Sequence, residues 1–145
     1  MSIAQFGPFF VPEQPASVRP SDAQVLRITS RMSDKAANVR FSLTPEKAIF
    51  AGDVGDFSFE AHVVAFPPDA LVLTNKRLIR HGQGRAAIQR SYAPGHRETR
   101  SDDPAAQEAD AALTKALKSA SIRIPDSWPG INYRPPSAQV GFSRS

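Results

Sequence analysis

Residues Phe57 to Ile79 read FSFEAHVVAFPPDALVLTNKRLI, the longest apolar run of the chain. Phe57, Phe59, Ala61, Val63 and Ala65 alternate with Ser58, Glu60, His62 and Val64. Side chains two apart share one face of a strand, so this spacing predicts a half-buried strand with the phenylalanines turned inward. Pro67 and Pro68 stop it, because neither can donate a ladder hydrogen bond. Ala70 to Thr74 forms a second apolar run and Arg77 to Arg80 a third, with Asn75-Lys76 between them suited to a tight turn. The stretch therefore predicts a three-strand meander on which the core forms.

Outward from it, Val39 to Leu43 (VRFSL) alternates with Val39, Phe41 and Leu43 inward and Arg40 and Ser42 outward. Lys47 to Ala51 adds a short strand, and Gly52 to Asp56 (GDVGD) reads as a loop into Phe57. Ala23 to Met32 (AQVLRITSRM) alternates Val25 with Arg27 and Leu26 with Ile28, and is expected to be a strand. Ala86 to Tyr92 is expected to add one more. One stretch is plainly helical. Ser101, Asp102 and Asp103 offer N-caps, Pro104 suits the first helical position, and Lys115 and Lys118 lie late, where they favour the helix dipole. Ala106, Ala109, Leu113, Ala116, Leu117 and Ala120 then form a single stripe.

Proline marks the ends. Of 13 prolines, four lie in residues 1–20 and four in 125–145. That density excludes helix interiors and central strands there. The expected organisation is an extended N-terminal arm over 1–20, a β domain over 21–120 with its helix at about 103–120, and an extended C-terminal arm over 121–145. The fold class expected is mainly β: a small antiparallel β-barrel or sandwich with one C-terminal helix and two proline-rich arms.

A length of 145 residues is enough for one domain with a real core. There is no cysteine, which excludes disulfides and thiolate metal sites. No apolar run approaches the roughly 18 residues of a membrane-spanning helix. The first residues lack a basic flank and are broken by Pro8 and Pro12, so a cleaved secretory signal is not expected. The net charge of +4 has one source. Between Lys76 and Arg100 stand seven basic residues and one acid, Glu98, against 11 basic and 13 acidic residues elsewhere.

No catalytic or cofactor motif is met. His62, His81 and His96 have no ligand-like spacing. Asp53 and Asp56 lack the further oxygens a divalent cation needs. Gly82-x-Gly84-x-x-Ala87 has a dinucleotide-like spacing, but too few residues follow for the required helix and parallel strand. An enzyme, a cofactor and a metal are therefore not expected. The basic residues Lys76, Arg77, Arg80, Arg85, Arg90, Arg97 and Arg100 suit an anion or an acidic protein neighbour. With only Tyr92 interleaved among them, they do not build a stacking platform for single-stranded nucleic acid. Nucleic acid is thus not the favoured partner.

The arms carry aromatic side chains that are costly to leave in water, at roughly 1.5–3 kcal/mol each. Such arms either fold back on their own domain or dock on a partner. Phe6, Phe9 and Phe10 in the first arm and Trp128, Ile131 and Tyr133 in the second are the expected partner-binding residues. This organisation is expected of a non-enzymatic structural subunit that meets several protein copies in a large assembly. A bacteriophage virion comes first, as cement, decoration, minor capsid or head–tail connecting protein, with the cytoplasm as the other location.

Leu71 to Ile79, LVLTNKRLI, also resembles the strand–turn–strand signature of bacterial PH-like and GRAM domains, over nine residues. The resemblance implies a small barrel capped by one C-terminal helix, and a module that binds a membrane surface or a protein partner.

Overall fold

Ser21 closes a capping box at the head of a helix: its hydroxyl accepts from the Gln24 amide at 3.2 Å, and the Gln24 side chain accepts from the Ser21 amide at 2.8 Å. The helix it starts, α1 (Asp22–Met32), replaces the strand expected there. Val25, Ile28 and Met32 are buried along it and Leu26 is exposed, which is a helical rather than an alternating pattern. Ser-x-x-Gln is the signal that outweighs the apparent alternation. Ser21→Ala is expected to cost about 1 kcal/mol, read as a lower midpoint in urea.

The computed structural model of the protein describes residues 16–92 and 98–125. After α1 come β1 (Ala37–Leu43), β2 (Ala48–Val54), β3 (Phe57–Phe66), β4 (Ala70–Arg80), β5 (Ile88–Ser91), β6 (Glu98–Thr99), α2 (Pro104–Ser119) and β7 (Ile122–Arg123). The strands form one sheet in the order β1-β2-β3-β4-β5-β6, antiparallel at each step, with β7 running parallel beside the start of β4. The sheet is open. Among the described residues neither a barrel nor a sandwich forms, and there are two helices, not one.

The alternation that predicts β3 holds: Phe57, Phe59, Ala61, Val63 and Ala65 all join the main core with both helices. α2 begins at Pro104 with Asp103 as N-cap, and buries Ala106, Ala109, Leu113, Ala116 and Leu117 as its stripe predicts. Both helices share the core on one face of the sheet, while Val64, Phe66 and Val72 form a smaller cluster on the other.

Two turns differ from expectation. The β2–β3 connection is not a five-residue loop. Val54 pairs with Phe57, leaving Gly55 and Asp56 as a two-residue turn, and Gly55 takes φ 58°. Positive φ at the first turn position is the geometry whose twist suits a hairpin. The second correction is β4, which runs through Asn75-Lys76 without turning. It is a central strand, paired with β3 on one side and with β5 and β7 on the other, so its backbone groups are used in place. The polar residues leave a smaller mark. The register shifts between His62 and Val63, leaving Thr74 as an extra residue in β4, and its hydroxyl donates to the His62 carbonyl at 3.3 Å. With no closed barrel and no turn at Thr74–Lys76, the implied PH-like outline is not followed.

The domain also takes residues from both predicted arms. Val18 and Ala65 exchange two backbone hydrogen bonds of 2.8 Å, and Pro20 is buried. At the other end, Ile122 is buried in β7.

Candidate functional site

β1 is an edge of the sheet, and its chemistry follows from that position. Phe41 pairs with Phe50 and Leu43 with Ala48, so both side chains take the helix-covered face, as the alternation predicts. They are nevertheless 41% and 40% exposed, because nothing described lies beyond the edge. The backbone polarity of this edge follows from the turn that ends it. The Thr44 amide donates to the Lys47 carbonyl at 3.0 Å, which makes Thr44 and Lys47 a hydrogen-bonded pair. Such pairs alternate along an antiparallel ladder. Ser42 and Arg40 therefore turn their amides and carbonyls toward β2, while Phe41 and Leu43 turn theirs outward. An edge of this kind, apolar and unpaired among the described residues, is one that proteins usually blunt with lysine, proline or inward-pointing charge. Here only Arg40 is charged, and it stands on the opposite face. Sequence pattern alone does not reveal this surface, because alternation assigns a face and not a place in the sheet.

The face of the sheet away from the helices holds two polar networks. Lys47 Nζ lies 2.8 Å from His62 Nδ1, and His62 Nε2 lies 3.1 Å from Glu60 Oε1. An ammonium can only donate, so Nδ1 accepts and the Nε2–H donates to Glu60. Burial and the Lys47 charge hold the His62 pKa below the usual histidine value, with Glu60 pulling the other way. As pH falls below 6.5 the unfolded chain takes up a proton that the folded one resists, so stability should decline toward the folded pKa. His62→Gln is expected to flatten that part of the stability–pH curve. An unchanged slope in urea titrations across this range would contradict it.

In the second network, Asp53 accepts from Asn38 Nδ2 at 2.8 Å, Ser58 Oγ at 3.1 Å and His81 Nε2 at 3.2 Å. The Asn38 hydrogen bond leads in lowering its pKa. A serine, a histidine and an aspartate thus meet, but both Ser58 and His81 are bonded to the carboxylate. A nucleophile needs its hydroxyl on the imidazole, so this arrangement holds three elements together without activating Ser58.

The basic segment is divided rather than gathered. Lys76 is only 8% exposed, with Nζ 2.9 Å from the Asp110 carboxylate on α2. Arg80 pairs with Asp103 and lies over the Phe57 ring, and Arg90 lies over Tyr92. Arg100 pairs with Glu98. Arg77 stands on the other face, opposite Glu60 in the register, and Arg85 is exposed in the β4–β5 turn. Lys76, Arg90, Glu98, Arg100, Gln107 and Asp110 line a cleft of about 260 Å³ between β4, β5, β6 and α2. Its charges are of mixed sign and largely pair with one another.

The glycines of Gly82 to Ala87 lead into strand β5 and not into a helix, so they present no row of helical amides to a phosphate. Arg97, His96 and the expected partner-binding residues Phe6, Phe9, Phe10, Trp128, Ile131 and Tyr133 lie outside the described residues. No family model, no curated protein and no solved structure matches this chain.

Proposed function

We propose that this protein is a non-enzymatic structural subunit that binds protein neighbours in a large assembly, a bacteriophage particle being the setting that fits its organisation best. The observation that carries the proposal is the β1 edge, where Phe41 and Leu43 stand exposed beside outward-facing backbone groups. A neighbouring protein surface would satisfy both, since it can bury the rings and pair the amides. The aromatic residues of the two arms suit the same role, as anchors for pockets on adjacent subunits. Internal pairing of Lys76, Arg80 and Arg100 with carboxylates leaves less of the basic segment for phosphates, which favours protein over nucleic acid as the partner.

The test is where the native chain travels. In a density gradient of its source material, an antibody against the chain should find it with a particle far larger than its own 15.7 kDa. Recovery of the whole population at the size of a free monomer or small oligomer would overturn the proposal. Deleting residues 1–15, or separately 126–145, should keep the circular dichroism spectrum and remove the chain from the particle fraction. These boundaries spare the Val18 pairing and β7. Truncated chains that still enter the particle normally would show that the arms contribute nothing to its assembly.

A further inference from the structure

We propose that one of those neighbours is a second copy of this chain, docked antiparallel on β1 with Phe41 against Phe41 across a two-fold axis. The inference rests on the assembly reading and deepens it by naming a partner for the edge.

Three features of β1 support self-pairing. The first is hydrogen-bond polarity. Phe41 and Leu43 turn their amides and carbonyls away from β2, so two copies present to one another the same groups, which no described residue pairs. The second is register. A two-fold at Phe41 sets Val39 opposite the partner's Leu43, and Arg40 opposite the partner's Ser42. Val39, Phe41 and Leu43 of both copies then form one apolar row on the helix-covered face, and no like charges stand opposed. The neighbouring registers are worse. A two-fold at Arg40 would set two guanidinium groups opposite each other, which is unfavourable. A two-fold at Ser42 would set Val39 opposite Pro45, which has no amide to donate. The third feature is length. The register shift between Ala37 and Arg40, with Asn38 at φ 55°, ends regular ladder geometry on one side, and the Thr44–Lys47 turn ends it on the other. Regular pairing is therefore confined to Arg40–Leu43, with Val39 at its irregular end, and the stretch is short and self-complementary. Closed two-fold pairing uses up the edge, so it gives a dimer and not an open filament.

The chain has no cysteine, so a single introduced thiol reports only on a second copy. In the full-length protein, Phe41→Cys should form an intermolecular disulfide under mild oxidation. Arg40→Cys, on the opposite face and off the axis, should do so more slowly, because its two copies stand farther apart. Sedimentation equilibrium of the unmodified chain should show a monomer–dimer equilibrium. Phe41→Lys should weaken it by about tenfold or more, as loss of a central aromatic anchor does. Phe41→Pro serves as a second variant. The Phe41 amide faces outward, so proline should leave the circular dichroism spectrum unchanged while removing hydrogen bonds to the second copy.

A chain that stays monomeric at its highest soluble concentration would overturn the inference. So would equal rates of cross-linking in the Phe41→Cys and Arg40→Cys variants. The two readings also fail separately. A monomeric chain that still travels with a large particle would leave the subunit proposal standing and give β1 another partner. A dimer recovered only free of any particle would do the reverse.

Discussion

Phe50→Ala is expected to destabilise the protein by about 3–5 kcal/mol, the usual cost of emptying a phenylalanine site in a core. Phe50 is fully buried in β2, between Phe41 on β1 and Ala61 on β3, and belongs to the core that both helices cover. Neither cross-strand neighbour is placed to refill the space. Ala61 is too short, and Phe41 is already half out toward solvent. Domains of this size are stable by only about 5–15 kcal/mol, so the loss should be visible as a large drop in the urea midpoint. A change below about 1 kcal/mol would mean that the β1–β2 end of the core is not packed as described.

Gly52→Val should cost about 3 kcal/mol for the opposite reason, crowding instead of a void. A Cβ at Gly52 would stand 2.8 Å from the Ala37 carbonyl oxygen and 2.8 Å from the Phe59 ring. The first neighbour is backbone, at the point where the β1–β2 register shifts. The second is a ring 3% exposed, lying over Gly52 from the paired position on β3. Neither can give way cheaply. On propensity alone a valine would favour a strand, so the sign of the effect separates the two influences. A Gly52→Val variant as stable as the parent would show that β1 or Phe59 moves freely. A circular dichroism check for retained strand content keeps the measurement from being confused with misfolding.

Both sites bear on the proposed function, because β1 is held to the domain chiefly through β2. Phe50 supports the strand from inside the core, and Gly52 lets Ala37 approach where the ladder shifts. A variant that loosens β1 should therefore weaken self-association as well as stability. By contrast, Ser21→Ala acts at the far end of α1 and should lower stability alone.

Much of this fold was legible in the residues. The alternation of Phe57 to Ala65 determined which face of β3 is buried, since strand geometry leaves successive side chains no choice of side. Asp103-Pro104 and the alanine stripe determined α2 in the same way, from local capping and a helical period. Ser21-Asp22-Ala23-Gln24 carried an equally local signal for α1, masked by a four-residue alternation of Val25, Leu26, Arg27 and Ile28 that a helix tolerates. What tertiary structure decided is where polar and apolar groups find partners. Asn75-Lys76 reads as a turn until Asp110 arrives from α2 to pair with Lys76 and β5 takes up the far side of the strand. Val39, Phe41 and Leu43 read as core until the sheet ends at β1 and leaves Phe41 and Leu43 exposed. Period and capping are properties of a few neighbouring residues. Burial of a charge and exposure of an edge depend on segments far apart in the chain, and become fixed only when those segments meet.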